Sequence, residues 1–512
     1  MHCLPDRVAA AARAAPERIA FVDGERRIGY GEFWRQCHAF AAALRARGLG
    51  QGDRVAVLLP NRVEAAVAVY GCWLAGGIAV PLNAQARARD FEPWLRHSGA
   101  SHLVHEAGNA DVAAALAALD APPVAWALQP HQPIPCAVAG DPHERPGVEE
   151  IGKLQPAMPA LILYTSGTTG APKGVTLSHG NLLANAQAVV DYLALEAGDS
   201  VLGLLPFYYA YGASVLHTHL LAGARMVLAP NLLFPHLLME LVASERITGL
   251  SGVPSTFALL LDRVELSGYD LSSLRYLTQA GGAMSQALTR RLRTALPGPK
   301  LFVMYGQTEA TSRLTWLPPE RLDDKPGSVG IPLDGVSLRI VREGGEEAPI
   351  GTEGEVHVRG PNVMEGYWNA PEATAAVLHD GWLRTGDLGR LDADGFLYLA
   401  GRRSDMIKTG AHRVHPSDIE EVIAEVAGVV DSAVVGIDDD TLGQVVKAFV
   451  VMDPPPRDDA LGRTDMAIRA HCRARLAPYK IPRHIEFVDA LPRTASGKVR
   501  RVALSQPQAT AA

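Results

Sequence analysis

Short apolar runs alternate with helical stretches over residues 7–118, as in Val55-Ala56-Val57-Leu58-Leu59. Runs of this length bounded by turn residues read as strands, and their alternation with helices predicts an α/β layered unit. The rhythm breaks over 121–157, where proline density and the polar stretch 140–147 predict a surface connection. It resumes over 160–317, with Leu161-Ile162-Leu163, Arg225-Met226-Val227-Leu228 and Leu301-Phe302-Val303-Met304 as strands and a helix over 235–245. From 328 to 398 the strands shorten and the turns become glycine-rich (Gly354-Glu355-Val356-His357-Val358; Asp394-Gly395-Phe396-Leu397-Tyr398), which predicts a small β-rich subdomain. A last segment holds helices over 417–426 and 464–476, strands over 432–437 and 445–451, and a proline-rich loop over 453–457. The predicted class is α/β: a large N-terminal domain over 1–400, made of two α/β layered subdomains and the β-rich one, then a small α+β domain over 401–512.

Composition narrows the function. A chain of 512 residues exceeds one compact core, so at least two domains are expected. The net charge of −7, with no basic stripe, argues against nucleic acid as a partner. The longest uncharged apolar run, 65–82, is interrupted by Gly71, Gly76, Gly77 and Pro81 and is shorter than the roughly 20 apolar residues a membrane span needs. The N-terminus lacks a leucine-rich apolar core of the secretory kind. Five scattered cysteines, never in CxxC spacing, fit neither a disulfide framework nor a zinc site, and predict a reducing cytoplasm.

The most informative segment is Tyr164-Thr165-Ser166-Gly167-Thr168-Thr169-Gly170-Ala171-Pro172-Lys173-Gly174. Glycines let backbone N–H groups approach an anion, hydroxyls donate further hydrogen bonds, and Lys173 adds a positive charge, so the loop suits phosphate. It is not the common GxxxxGK[ST] loop, because Pro172 intervenes and Val175-Thr176-Leu177 reads as a second strand rather than a helix. A hairpin turn without ligand is the plain alternative.

With this loop, the chain resembles the adenylate-forming superfamily of acyl-CoA synthetases, stand-alone and peptide-synthetase adenylation domains, and firefly-type luciferases. The resemblance runs from Ala20-Phe21-Val22 and Tyr30-Gly31-Glu32-Phe33, through Gly52-Asp53-Arg54-Val55-Ala56 and 75–83, to Gly497-Lys498. It implies that Thr165, Ser166, Gly167, Thr168, Thr169 and Lys173 cradle the β and γ phosphates of ATP. In Tyr305-Gly306-Gln307-Thr308-Glu309 it sets the tyrosine against adenine, Thr308 on the α-phosphate and Glu309 on Mg2+, with Gly306 between them. Gly281, Gly282 and Ala283 border adenine and the acyl pocket, Asp387 takes the ribose hydroxyls with Arg402 as its partner, and Lys498 reaches the carboxylate and α-phosphate. The implied C-terminal lid rotates between two half-reactions, making acyl-AMP first and then admitting a thiol of CoA or of a carrier-protein phosphopantetheine. Lys408 belongs to the second conformation. Two departures bear on this step: Ser404 stands at the hinge where Asp or Lys is usual, and Ala411, beside Gly410, replaces a glycine of the thiol tunnel.

In Leu205-Pro206-Phe207-Tyr208-Tyr209-Ala210-Tyr211-Gly212 the acyl-pocket candidates are Tyr209 and Tyr211, and no aspartate is available for an α-ammonium. Met304 reads either as a raised pocket floor, favouring a small or medium acid, or as core filler. Arg313 reads first as a surface arginine, and otherwise as a partner for a second carboxylate on the substrate. The expected function is ATP-dependent activation of a small or medium carboxylic acid and transfer to a thiol. Its rivals are a stand-alone amino or imino acid adenylation enzyme serving a carrier protein, and a nucleotide-binding homologue without turnover. A monomer or homodimer is expected.

Overall fold

A computed structural model describes residues 3–129, 132, 134, 154–165, 173–229, 234–402, 405–409, 412–439, 443–456, 461–476, 478–494 and 497–505. Two large sheets form the body. The first, of nine strands, runs in the order Ile331–Pro332, Thr315–Leu317, Lys300–Tyr305, Tyr276–Gln279, Gly249–Gly252, Ser200–Gly203, Arg225–Leu228, Ile19–Asp23, Arg26–Gly29. The second, of seven, runs Gly366–Tyr367, Lys173–Ser178, Pro159–Thr165, Ile78–Pro81, Arg54–Leu58, His102–Glu106, Val124–Leu128. The α/β layering predicted from the apolar runs is present, but the sheets do not follow the two halves of the sequence. The hairpin at 19–29 pairs in parallel with Arg225–Leu228, far along the chain, and Gly366–Tyr367 closes the edge of the other sheet against Lys173–Ser178.

The helix Val63–Leu74 is buried along its whole length, which explains why its sequence is apolar on every side. Its one acid, Glu64, is neutralised by Arg62 at 2.7 Å and Arg26 at 2.7 Å. The helix His179–Leu193 starts on a reciprocal cap, with Ser178 Oγ accepting from the Asn181 N–H and Asn181 Oδ1 accepting from the Ser178 N–H. The helix Ala210–Ala222 ends on Gly223, whose φ of +73° suits glycine.

A five-stranded sheet orders Ser337–Val341, Gly354–Arg359, Trp382–Leu391 and Leu378–His379, with Leu397–Arg402 also on Trp382–Leu391; this is the expected β-rich subdomain. The C-terminal domain has a five-stranded sheet of its own, in which His484–Phe487 lies parallel to Gly443–Met452, covered by helices Pro416–Ile423 and Leu461–Arg475. Among the described residues no helix is long and apolar enough to cross a membrane.

Candidate active site

The parallel strands Gly249–Gly252, Tyr276–Gln279 and Lys300–Tyr305 point their carboxyl ends to one crevice, where open α/β sheets place ligands. The turn after the second strand carries Gly281 at φ +83°, and the Gly282 carbonyl accepts from Gln279 Nε2 at 2.7 Å. Ala283 completes that turn.

Tyr305 ends the third strand, and its hydroxyl donates to Asp387 Oδ2 at 2.6 Å. Asp387 is 7% exposed and lies opposite Arg402 across an antiparallel pair, so Arg402 Nε meets its other oxygen at 3.2 Å. Burial raises the Asp387 pKa above the ordinary carboxylate value, against the pull of Arg402, the Tyr305 hydrogen bond and Lys498.

After Tyr305 the chain doubles back. A Cβ on Gly306 would sit 1.9 Å from the Ser312 carbonyl oxygen, so only glycine permits this approach. Thr308–Ala310 forms one 3-10 turn, and Glu309 Oε1 accepts from the Tyr367 hydroxyl at 2.9 Å. Among the described residues no donor meets the other oxygen of Glu309. The Lys173 ammonium lies 5.5 Å from the centre of the Tyr367 ring. Thr165 and Lys173 are cross-strand partners at the mouth of the predicted phosphate loop, whose strands form the expected hairpin. A cleft of about 210 Å³ bounded by Gln307, Glu309, Tyr367 and Thr385 lies beside these groups.

Lys498 comes from the C-terminal domain. Its turn is closed by the Gly497 N–H on the Thr494 carbonyl at 2.8 Å and the Thr494 N–H on the Lys498 carbonyl at 2.7 Å. Gly497, at φ +82°, abuts the large domain: a Cβ there would meet Ser255 Oγ at 3.3 Å and Val253 Cγ2 at 3.4 Å. Lys498 is an exposed residue, yet its pKa is lowered, through desolvation of the ammonium and then through Arg402, with Asp387 and Glu309 opposing.

Among the residues expected to line the acyl pocket, Tyr211 donates to the Thr278 carbonyl at 2.9 Å, and the Tyr192 hydroxyl meets Met304 Sδ at 2.8 Å. Met304 is buried, in direct contact with Tyr192 and linked to Tyr211 through Arg313. The reading of Arg313 as a surface residue is wrong: it is 2% exposed, with Nε 3.3 Å from Met304 Sδ and its guanidinium 4.1 Å from the Tyr211 ring centre. Its inward course follows from Thr311 and Ser312, both at positive φ, which a sequence does not display. Tyr209 lies with its ring 4.5 Å from that of Tyr208, at the start of the helix that carries Tyr211. Sequence reasoning missed Tyr367, Tyr192, Asn185 and Asn362, all of which act through contacts distant in the chain.

Several expectations lie outside the described residues: Ser166, Gly167, Thr168 and Thr169 in the loop, Ser404 at the hinge, and Gly410 and Ala411 in the tunnel. Lys408 is placed by its backbone in the strand Ile407–Thr409, and its side chain is outside the described set.

The chain is similar in sequence and fold to known proteins. The AMP-binding enzyme family profile matches residues 8–368, and that of the AMP-binding enzyme C-terminal domain matches 418–498. The chain is 35% identical over 493 residues to a feruloyl-CoA synthase from Amycolatopsis sp., covering 95% of each. ATP-bound MatB from Rhodopseudomonas palustris superposes with a TM-score of 0.89 at 31% identity, covering 98% of both chains. The o-succinylbenzoate CoA synthetase MenE of Bacillus subtilis, in complex with its acyl-adenylate OSB-AMP, superposes at 0.84 with 31% identity and 98% coverage of both. The fold and cleft define an AMP-forming acyl-CoA synthetase-like ligase. The chain belongs to the AMP-binding enzyme family, within the adenylate-forming superfamily.

Proposed function

We propose that this cleft adenylates a small or medium carboxylic acid with Lys498 as the charge that draws acid and α-phosphate together, and that CoA then takes the acyl group. The observation that carries the reading is the convergence of Tyr305, Asp387, Arg402, Glu309 and the lid-borne Lys498 on one crevice. A carboxylate oxygen attacks the α-phosphorus, and the bond to pyrophosphate breaks. A charge held in place beforehand stabilises that transition state without reorganisation. In the second step the thiol sulfur attacks the acyl carbon, its proton passes to solvent, and AMP departs with the former carboxylate oxygen.

Asp387, with two acceptor oxygens fixed by Tyr305 and Arg402, suits a pair of ribose hydroxyls. The Tyr305 ring is the surface for adenine, and Gly281, Gly282 and Ala283 border both adenine and the acyl group. Thr308 is assigned to the α-phosphate. Lys173, Thr165 and the loop they flank are assigned to the outer phosphates. Glu309 fits Mg2+: a hard cation takes one or two protein carboxylates and completes its shell with phosphate and water, and no group of three acidic, His or Cys residues gathers elsewhere among the described residues. Bound there, Mg2+ would neutralise phosphate charge. Tyr211 and Met304 wall the acyl pocket, with Tyr209 at its rim; Lys408 serves the thiol-transfer conformation.

The relatives are named for different acids, so their names do not carry the substrate over. Pyrophosphate exchange over a panel of acids, followed by thioester detection with CoA, tests the reading. Exchange with a carboxylic acid and thioester on CoA support it. Exchange restricted to proline or another amino acid, with thioester only on a carrier protein, would replace it with the stand-alone adenylation rival.

A further inference from the structure

Two arginines are buried among the described residues, and they are treated differently. Arg62 bonds Glu64 at 2.7 Å. Arg313 is deeper, and its neighbours include Met304 Sδ, Ser312 Oγ, the Tyr192 hydroxyl and the Tyr211 ring; no carboxylate among the described residues pairs with it. A desolvated guanidinium without an anion is costly, so something in the working protein must offset it.

The surroundings hold Arg313 rigidly. Its carbonyl accepts from two buried amides, Asn185 Nδ2 at 3.0 Å and Asn362 Nδ2 at 2.8 Å. Ahead of it, Thr311 at φ +63° and Ser312 at φ +137° are strained for residues with a side chain. Thr311 Oγ1 is tied to the Asn362 carbonyl at 2.6 Å. Strain kept at a buried cation, beside the strand residue that precedes Tyr305, marks a binding position better than a packing one.

We propose that Arg313 receives a second, distal carboxylate of the substrate, so that the acid this enzyme prefers is a dicarboxylic acid adenylated at its far end. The inference rests on the reading of Tyr211 and Met304 as walls of the acyl pocket. A bound distal carboxylate gives the guanidinium the planar, bidentate partner it lacks. An acid ending in a methyl or amide group leaves the buried cation unpaired and is rejected for that reason, as sites built around a polar group reject analogues lacking it.

The test compares linear dicarboxylic acids with their own half-amides and with monocarboxylic acids of equal length, in pyrophosphate exchange, for the wild type, Arg313→Met and Arg313→Lys. The wild type is expected to favour the best diacid over its half-amide by about 100-fold in kcat/KM, a modest value for such a site. Arg313→Met should abolish that ratio, Arg313→Lys should keep part of it, and the KM for ATP should not move with either. The best diacid alone, without ATP, should raise the melting temperature of the wild type more than its half-amide does, a readout that stands even if Arg313→Met does not fold. A wild-type preference for uncharged tails, or a ratio unchanged in Arg313→Met, overturns the inference while exchange with monoacids leaves the adenylation reading standing. Absence of exchange with every acid overturns both.

Discussion

Replacing Lys498 by Gln keeps a polar, unbranched side chain, one atom shorter, and removes its charge. The backbone should not respond, because the turn is held by the Gly497–Thr494 and Thr494–Lys498 hydrogen bonds and by the contact of Gly497 with Val253 and Ser255. What disappears is one cation held in the field of Asp387, Glu309 and Arg402. A single preorganised donor aimed at developing charge is worth roughly 3–4 kcal/mol, so adenylation should slow by about 10²–10³-fold. The assay separates the half-reactions: pyrophosphate exchange reports adenylation, and thioester formation from chemically prepared acyl-adenylate reports transfer. Exchange should fall by that factor while transfer proceeds at the wild-type rate. The same residue sets a pH limit. Its pKa is lowered by desolvation, so the charged form is lost as pH rises sooner than for an ordinary lysine, and the alkaline limb of exchange should lie correspondingly low. Lys498→Arg, which stays charged, should carry activity to higher pH. A loss of less than about tenfold in exchange, or equal losses in both half-reactions, would refute the reasoning.

Three further outcomes follow from the same geometry. Tyr305→Phe removes the 2.6 Å bond to buried Asp387 and should cost about 1.5–3 kcal/mol where Asp387 is ionised. Because the folded pKa of Asp387 is raised, its favourable contribution is complete below the unfolded value and is lost as pH rises through the folded one; the variant raises that pKa further, so its destabilisation in urea should grow from acid to neutral pH, and an equal loss at both would contradict the assignment. Gly306→Ala drives a methyl into the Ser312 carbonyl and should destabilise by about 1–3 kcal/mol or more in denaturant titration; a neutral result would show that the doubled-back loop is not held as described. Tyr367→Phe removes the hydroxyl that donates to Glu309 and should raise the Mg2+ concentration for half-maximal exchange by about tenfold, the scale for losing a residue that orients a metal ligand; an unchanged value would remove Glu309 from the metal site.

Local signals were legible where local chemistry decides the outcome. The apolar runs at 161–163 and 175–177 announce the hairpin that flanks the predicted phosphate loop, and Arg402 pairs with Asp387 as the motif resemblance implies, whereas the resemblance does not foresee the bond from Tyr305 to Asp387. What could not be read depends on pairing across the chain. Nothing in residues 19–29 states that they will complete a sheet with Arg225–Leu228. Asn185 and Asn362 lie 128 and 49 residues from the Arg313 carbonyl they hold, and Tyr367 lies 58 from Glu309. Arg313 itself sits in the polar run Thr311-Ser312-Arg313, where burial is the less common fate of an arginine. Two positive φ angles turn it inward, and backbone strain leaves no mark on residue type.

Oxygen tracing tests the central claim most directly. With the substrate acid labelled in its carboxylate by oxygen-18, one labelled oxygen should appear in the AMP phosphate for each thioester formed, because the acid attacks the α-phosphorus and later leaves its oxygen there. AMP free of label, or label found in pyrophosphate, would contradict the account.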